Sequence, residues 1–444
     1  MYNGKIVKAA GAKSLRSLLL INLPAITAKG GRRRICPPVE GSKDTKFIKF
    51  SPMAKTQKIL IIGGGIFGVT AAVELNRRGH EVHLFDPGPL PHPRASSTDI
   101  TKMVRADYGA DEFYTGLMLE AFQGWDQWNR EWPRPLYHQT GFLLLTHQQM
   151  EAGSLELESL KVLRRKGMEV QRLGPDQLRK RFPQWNANRY ADGYYNPRGG
   201  WAESGNVVAR LVQIGKEEGV HIHEGKGLKH FLENGDAVKG IFTTNGEVHN
   251  GDYVILAAGA WTPSFLPELQ DRMRASGHPV YLFQPKDISA YRGEVFPGWS
   301  SDISKTGWYG FPAQADGIVK VANHSKGLEV DPREEHDVPE AFYPKLQEFL
   351  AGHLPGLLGA PITATRLCFY CDTWDGDFYI CRHPGRPGLV VAAGGSGHGF
   401  KFAPMLGGII ADVAEGRENP YAHRFRWREK GEERVEAARS WEEL

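Results

Sequence analysis

The chain has 444 residues, 41% hydrophobic and 24% charged, enough for two or three soluble globular domains. Its +4 net charge is uneven: residues 1–52 hold eleven Lys and Arg against Glu40 and Asp44, which leaves the remainder at −5. A mildly acidic body excludes a nucleic-acid binder of the basic-patch kind, and no apolar run approaches the ~20 residues of a membrane span.

Residues 1–52 carry Arg, Lys, Ser and a Leu cluster, with no acid before Glu40. They read as an organellar transit peptide or as an over-long gene start with Met53 as initiator. Either way they lie outside the fold. The expected compartment is the cytoplasm in the second case and a mitochondrion in the first. The cysteines Cys36, Cys368, Cys371 and Cys381 are too few and too clustered for a disulfide framework, so a reducing compartment is expected.

Lys58 to Ile62, KILII, predicts a buried parallel strand. Gly63-x-Gly65-x-x-Gly68 follows, then a helix through Ile66 and Phe67 that stops at Gly79, then the strand EVHLFD ending at Asp86. A glycine turn at a helix N-terminus presents N–H groups to a pyrophosphate, and an acid at the end of the second strand accepts ribose hydroxyls. Alone the glycines are weak; in register with strand, helix and acid they predict a dinucleotide site, without choosing between FAD and NAD. DYVILAAGAW, with Gly259 and Trp261, and GLVVAAGG, near Val390, predict two further parallel strands. A helix is expected from Ala403, with Pro404 in its first turn.

Between these segments, residues 136–194 and 266–370 mix alternating strands with helices. The expected architecture is α/β. A discontinuous Rossmann-like domain (56–135, 195–265, 371–420) carries a second, mostly antiparallel α+β substrate domain, with the ligand between them. Residues 421–444 are expected as a charged, solvated, partly helical tail.

Five separated motifs resemble the sarcosine oxidase and fructosyl amino acid oxidase group of the D-amino-acid-oxidase-like flavoproteins. They are the Gly63–Gly68 turn with Asp86; TDITKMVRADYG at 98–109; Gly307 to Pro312 followed by Lys320 and His324; Leu367-Cys368-Phe369-Tyr370; and Gly395-Ser396-Gly397-His398-Gly399-Phe400-Lys401-Phe402. The spacings, 11 from Tyr309 to Lys320 and 33 from Cys368 to Lys401, also match the group. The resemblance implies FAD, passed by Thr98 and Lys102 and bonded through Cys368. It implies Arg105 and Lys401 on a substrate carboxylate, with Tyr370 and Gly397 beside it. Lys320 is implied as the oxygen-activating cation, and Tyr309 and His324 as pocket lining with a catalytic role. Thr98 and Lys102 depart from the sarcosine oxidase pattern, which has His and Arg there.

The implied reaction is oxidation of a secondary amine bearing a carboxylate to an imine, with oxygen going to hydrogen peroxide, in a monomeric enzyme. A dehydrogenase passing electrons to a quinone or protein remains the rival, and a non-catalytic flavin binder the third reading. No metal is expected, because the Cys368-x-x-Cys371 pair has no second pair to complete a zinc site.

Overall fold

A computed structural model describes residues 55–434, 438 and 439. The leader and Cys36 therefore lie outside the described residues. The strands Lys58–Ile62 and Glu81–Asp86 pair in parallel, joined by the helix Ile66–Arg77. Lys58–Ile62 also pairs in parallel with Tyr253–Leu256, which pairs with Leu389–Ala393. Across this sheet the order is Tyr379–Arg382, Leu389–Ala393, Tyr253–Leu256, Lys58–Ile62, Glu81–Asp86, His221–Glu224. Only Tyr379–Arg382 runs antiparallel. The central runs are apolar because both faces are covered: by helices, among them Ile66–Arg77 and Ala403–Glu415, on one, and by strands Leu228–Asn234 and Ala237–Thr243 on the other. The helix Ala403–Glu415 packs on Ile66–Arg77 with Pro404 in its first turn.

A second sheet of nine strands is antiparallel except where Gly298–Ser301 runs parallel to Phe142–Thr146. Its longest ladder joins Met273–Phe283 to Ile362–Thr373, with His278 opposite Cys368 and Ser276 opposite Tyr370. The strand Ile362–Thr373 runs through the expected domain boundary at 370–371, and Asp192–Asn196 through the one at 194–195. One core lies under the parallel sheet and its helices; another fills the antiparallel layer around Trp299, Trp308 and Phe349. Two small sheets went unforeseen: a meander of Leu228–Asn234, Ala237–Thr243 and Val248–Asn250, and a set of Lys102–Val104, Gly200–Ala202 and Tyr137–His138.

For residues 421–434 the expectation of a solvated, partly helical tail is corrected in part, while 435–437 and 440–444 lie outside the described residues. Residues 421–434 form no helix, and Phe425 is fully buried with its carbonyl accepting the Ile380 amide at 2.9 Å. Arg424 pairs with Asp111 and Asp377, and Arg428 with Asp375. These two arginines, which read as solvated, are ion-paired onto the folded body, while residues 429–434 are exposed. Among the described residues, no helix is long and apolar enough to cross a membrane, and no three His, Cys, Asp or Glu are grouped to hold a metal.

Candidate functional site

Three parallel strands end at one cavity of about 460 Å³, lined by Ile62 and Ala393 at two strand ends and by Ala257 just past the third. That is where a ligand belongs in an open parallel sheet. Gly63, Gly65, Ile66, Phe67, Asp86, Lys102, Gly259, Trp261, Gly395, Ser396, Gly397, Gly399 and Phe400 all lie in its wall. Gly68 lies beneath it: a Cβ there would sit 1.8 Å from the Gly63 carbonyl oxygen, so the glycine lets the helix close on the strand. Gly65 differs, since a Cβ there meets only Ser97 Oγ at 3.5 Å and would project towards the cavity. The Asp86 carboxylate accepts the Gly64 amide at 2.8 Å and the Gly88 amide at 3.0 Å. Burial pushes its pKa up, against those two donors. Each oxygen keeps a lone pair for a ribose hydroxyl. The glycine cradle, helix N-terminus and terminal acid together fit a dinucleotide such as FAD.

A smaller cavity of about 60 Å³ adjoins it, and Lys102, Tyr370, Gly397 and Phe400 belong to both walls. Arg105, Tyr309, His324 and Lys401 line this second space with Phe142, Ile303 and Phe311. Arg105 and Lys401 are thus brought together from 296 residues apart. Both are buried. Arg105 donates to the carbonyl of Asp107 and lies 5.5 Å from the Tyr108 ring centroid. Lys401 Nζ donates to Tyr108 Oη at 2.9 Å, and its carbonyl accepts Trp125 Nε1 at 2.8 Å. Burial raises the Asp107 carboxyl, which accepts the Tyr194 hydroxyl at 2.6 Å.

Lys320, Thr98 and Cys368 stand outside both walls. Lys320 is fully buried, and its ammonium donates to Asp99 and to the Thr101 carbonyl at 2.9 Å. Lys102 shares the same Asp99 at 3.1 Å and donates to Cys368 Sγ at 3.4 Å. One carboxylate therefore serves two ammonium groups. Burial opposes ionisation of Asp99, but the two lysines hold it well below the usual carboxylate range. Burial lowers Lys320 to about 8, with Asp99 resisting. Tyr309 is pushed up to about 12 by burial, and its hydroxyl lies 3.4 Å from that of Tyr370. Thr98 and Thr101 hold buried hydroxyl oxygens with no hydrogen-bond partner among the described residues, in the segment that carries Lys102.

Cys368 and Cys371 pack in different clusters, so the CxxC spacing does not make a dithiol pair. Cys371 is the one in the wall of the larger cavity, yet burial pushes its thiol up to about 12. Sequence reasoning missed Asp99. A carboxylate three residues before Lys102 was the available signal. It also missed Ser276, His278 and Asp372, which no local pattern marks.

A family profile described as FAD dependent oxidoreductase (DAO) matches residues 58–413. Monomeric sarcosine oxidase from Bacillus sp. (strain B-0618) is 27% identical over 361 residues, covering 80% of this chain and 91% of that protein. Peroxisomal sarcosine oxidase of Mus musculus is 30% identical over 369 residues, covering 80% and 91%. N-methyl-L-tryptophan oxidase from Salmonella heidelberg (strain SL476) is 28% identical, covering 81% and 95%. The crystal structure of the deglycating enzyme fructosamine oxidase (Amadoriase II) from Aspergillus fumigatus matches with TM-score 0.74 at 25% identity, over 84% of this chain and 90% of that one. With its parallel sheet, glycine cradle and terminal Asp86 in place, the chain belongs to the DAO family of FAD-dependent oxidoreductases.

Proposed function

We propose that the protein oxidises a secondary amine that carries a carboxylate, an N-methyl, cyclic imino or fructosyl amino acid. The observation that carries this reading is Arg105 and Lys401 in the wall of one small cavity beside the cofactor cradle. An Arg fork and a Lys point charge suit a carboxylate held from two sides. Named relatives act on sarcosine, N-methyl-L-tryptophan and fructosamines, which agrees with that class.

FAD, when bound, supplies the two-electron redox chemistry. This chain's residues bind, orient and exclude water. Arg105 and Lys401 anchor the carboxylate; Phe142, Ile303 and Phe311 keep the amine nitrogen in an apolar space, where its neutral form is favoured. Amine and oxygen enter; imine and hydrogen peroxide leave. Lys320 acts on oxygen, because a fixed ammonium stabilises negative charge developing there. Cys368 is the residue proposed to bond the flavin: Lys102 at 3.4 Å would meet a negative charge on its sulfur, whereas among the described residues no cation hydrogen-bonds Cys371. We assign oxygen as acceptor, a monomer as the working form, and the cytoplasm as its place, or a mitochondrion if residues 1–52 act as a transit peptide.

The test is anaerobic flavin reduction with matched acid and amide substrates. The acids should bleach the flavin, and the amides should bind poorly. Lys401→Ala should weaken acid binding by ~1.5–3 kcal/mol, the range for a hydrogen bond to a charged group. Equal turnover of neutral amide and acid would overturn the carboxylate clamp.

A further inference from the structure

The family match ends at residue 413, and the chain beyond it returns to the site. Arg434 donates its amide to the Trp374 carbonyl at 2.8 Å. Ala438 is buried in a cluster with Leu155, Ile303 and Tyr309, two of which wall the small cavity. Arg439 is 7% exposed. Its Nη2 donates to Asp372 Oδ1 at 2.8 Å and to the Ser396 carbonyl at 3.1 Å, and its guanidinium lies 5.8 Å from the Tyr370 ring centroid.

Asp372 reaches the other way as well. Its second oxygen accepts the Ser276 hydroxyl, which stands 2.9 Å from His278 Nε2. His278 stacks on Tyr370 with centroids 3.9 Å apart and planes 21° apart. So Arg439, Asp372, Ser276 and His278 form a buried polar chain behind Tyr370 and Ser396. Both of those residues lie in the cofactor cavity wall, and Tyr370 lies in the substrate cavity wall too. The Asp–Ser–His order leaves no imidazole to deprotonate the serine with a carboxylate behind it, so this is not a nucleophilic triad.

Two features show what the chain holds. Ser396 has φ +44, a left-handed conformation that a non-glycine residue keeps only when its surroundings enforce it. The Thr373 amide on its Oγ, the Cys371 carbonyl on its amide, and Arg439 on its carbonyl do so. The next residue is Gly397, where a Cβ would meet Tyr370 at 2.5 Å and His324 at 2.9 Å. A small rotation of this turn would move Gly397 and, four residues on, Lys401. Asp372 is ionised despite burial: Arg439 holds its carboxyl down at about 2.

We propose that Arg439, brought in by the C-terminal tail, is a positioning residue for the substrate. By tying Asp372 to the Ser396 carbonyl, it fixes Tyr370 and the turn that presents Gly397 and Lys401 to the carboxylate. It touches no substrate itself. The proposal rests on the carboxylate-clamp reading above.

The experiment compares Arg439→Gln and Arg439→Lys with the unmodified holoenzyme. It measures flavin content per chain, KM and kcat separately, and the Kd of propionate by perturbation of the flavin absorbance. Arg439→Gln should raise KM and the propionate Kd by about tenfold or more, the scale of a lost hydrogen bond to a charged group, and change kcat by no more than about threefold. Flavin content should hold, and Arg439→Lys should recover part of the loss. Unchanged KM and propionate Kd in Arg439→Gln would overturn the proposal. So would parallel loss of flavin, kcat and binding with Lys no better than Gln, which marks a purely structural anchor. If Arg439→Gln does not fold, Asp372→Asn decides: it keeps the shape, removes the charge, and should show the same split between KM and kcat. If propionate fails to bind the unmodified holoenzyme, the clamp reading falls first, a result distinct from either outcome above.

Discussion

The two cavities are walled by different kinds of atoms. The larger one lies at the strand ends of the parallel sheet, and Gly and Ala are the commonest residues in its wall. The smaller is built largely from long charged and aromatic side chains that the antiparallel sheet, the Lys102–Arg105 stretch and the Gly394–Phe402 segment bring in from far along the chain. In the first, shape comes from where side chains are missing. In the second, chemistry comes from which side chains meet. A site of the first kind breaks when an atom is added, and a site of the second kind when a charge is removed.

The largest effect is expected where adding one carbon tests the first kind. Gly68→Ala places a Cβ 1.8 Å from the Gly63 carbonyl oxygen and 3.4 Å from Ala257 Cβ. Overpacking of that kind costs ~1–3 kcal/mol or more, and here it separates the helix from the strand. The variant should fold poorly and hold no FAD. Gly65→Ala meets nothing closer than 3.5 Å and has φ −69, so the apoprotein should melt within ~1 kcal/mol of the unmodified one. Its FAD should nevertheless be lost, since the Cβ enters the cradle. Differential scanning of both apoproteins, with FAD content by absorbance, separates the two glycines. Equal FAD content in Gly65→Ala and the unmodified protein would mean the pyrophosphate does not pass there.

Attachment of the flavin comes next, as an all-or-none outcome. After acid precipitation, the flavin should stay with the pellet of the unmodified protein and of Cys371→Ser, and leave with the supernatant for Cys368→Ser. A colourless pellet from the unmodified protein sinks the assignment.

The same contrast explains what could be read in advance. The Gly63–Gly68 turn and Asp86 lie within 24 residues of one another, and every feature that makes them a site is local: strand period, helix start, terminal acid. Arg105, Lys320 and Lys401 were expected only through resemblance to a family, because nothing local distinguishes them from surface cations. Asp99, Ser276, His278, Asp372 and Arg439 escaped altogether. Asp372 meets Ser276 from 96 residues away and Arg439 from 67, across the long antiparallel ladder and the returning tail. The tail was misread for the same reason. Arg424 looks solvated beside its sequence neighbours, while its carboxylate Asp111 lies 313 positions earlier.

Removing a charge tests the second kind of site. Lys320→Met should slow reoxidation by oxygen ~10²–10³-fold, the usual cost of deleting a preorganised charge, and should leave anaerobic reduction by substrate nearly unchanged. Stopped-flow measurement of both half-reactions decides. Equal losses would make Lys320 structural or a substrate contact.

The smallest effect is one of pH, and it bears on how one carboxylate serves two lysines. Burial lowers Lys320 to about 8, below the ordinary lysine value, because a dry site disfavours the ammonium; Asp99 resists. In the role proposed for Lys320, the protonated form is the one that meets charge on oxygen. The reoxidation rate should therefore be highest below pH 8 and fall as pH rises through it, while a neighbour with a higher pKa leaves no limb there. Lys102 is that neighbour. Burial pulls it down, and the Asp99 carboxylate at 3.1 Å holds it up against that, so it stays charged across the window. Tyr309, at about 12, does not titrate in it either. Asp99→Asn removes the main anion facing Lys320 and leaves burial and Lys102 acting in the same direction. The limb should then move to lower pH, and reoxidation at pH 7 should fall, with flavin reduction by substrate little changed. A limb that stays in place in Asp99→Asn, or that moves upward, would show that the titrating group is not Lys320.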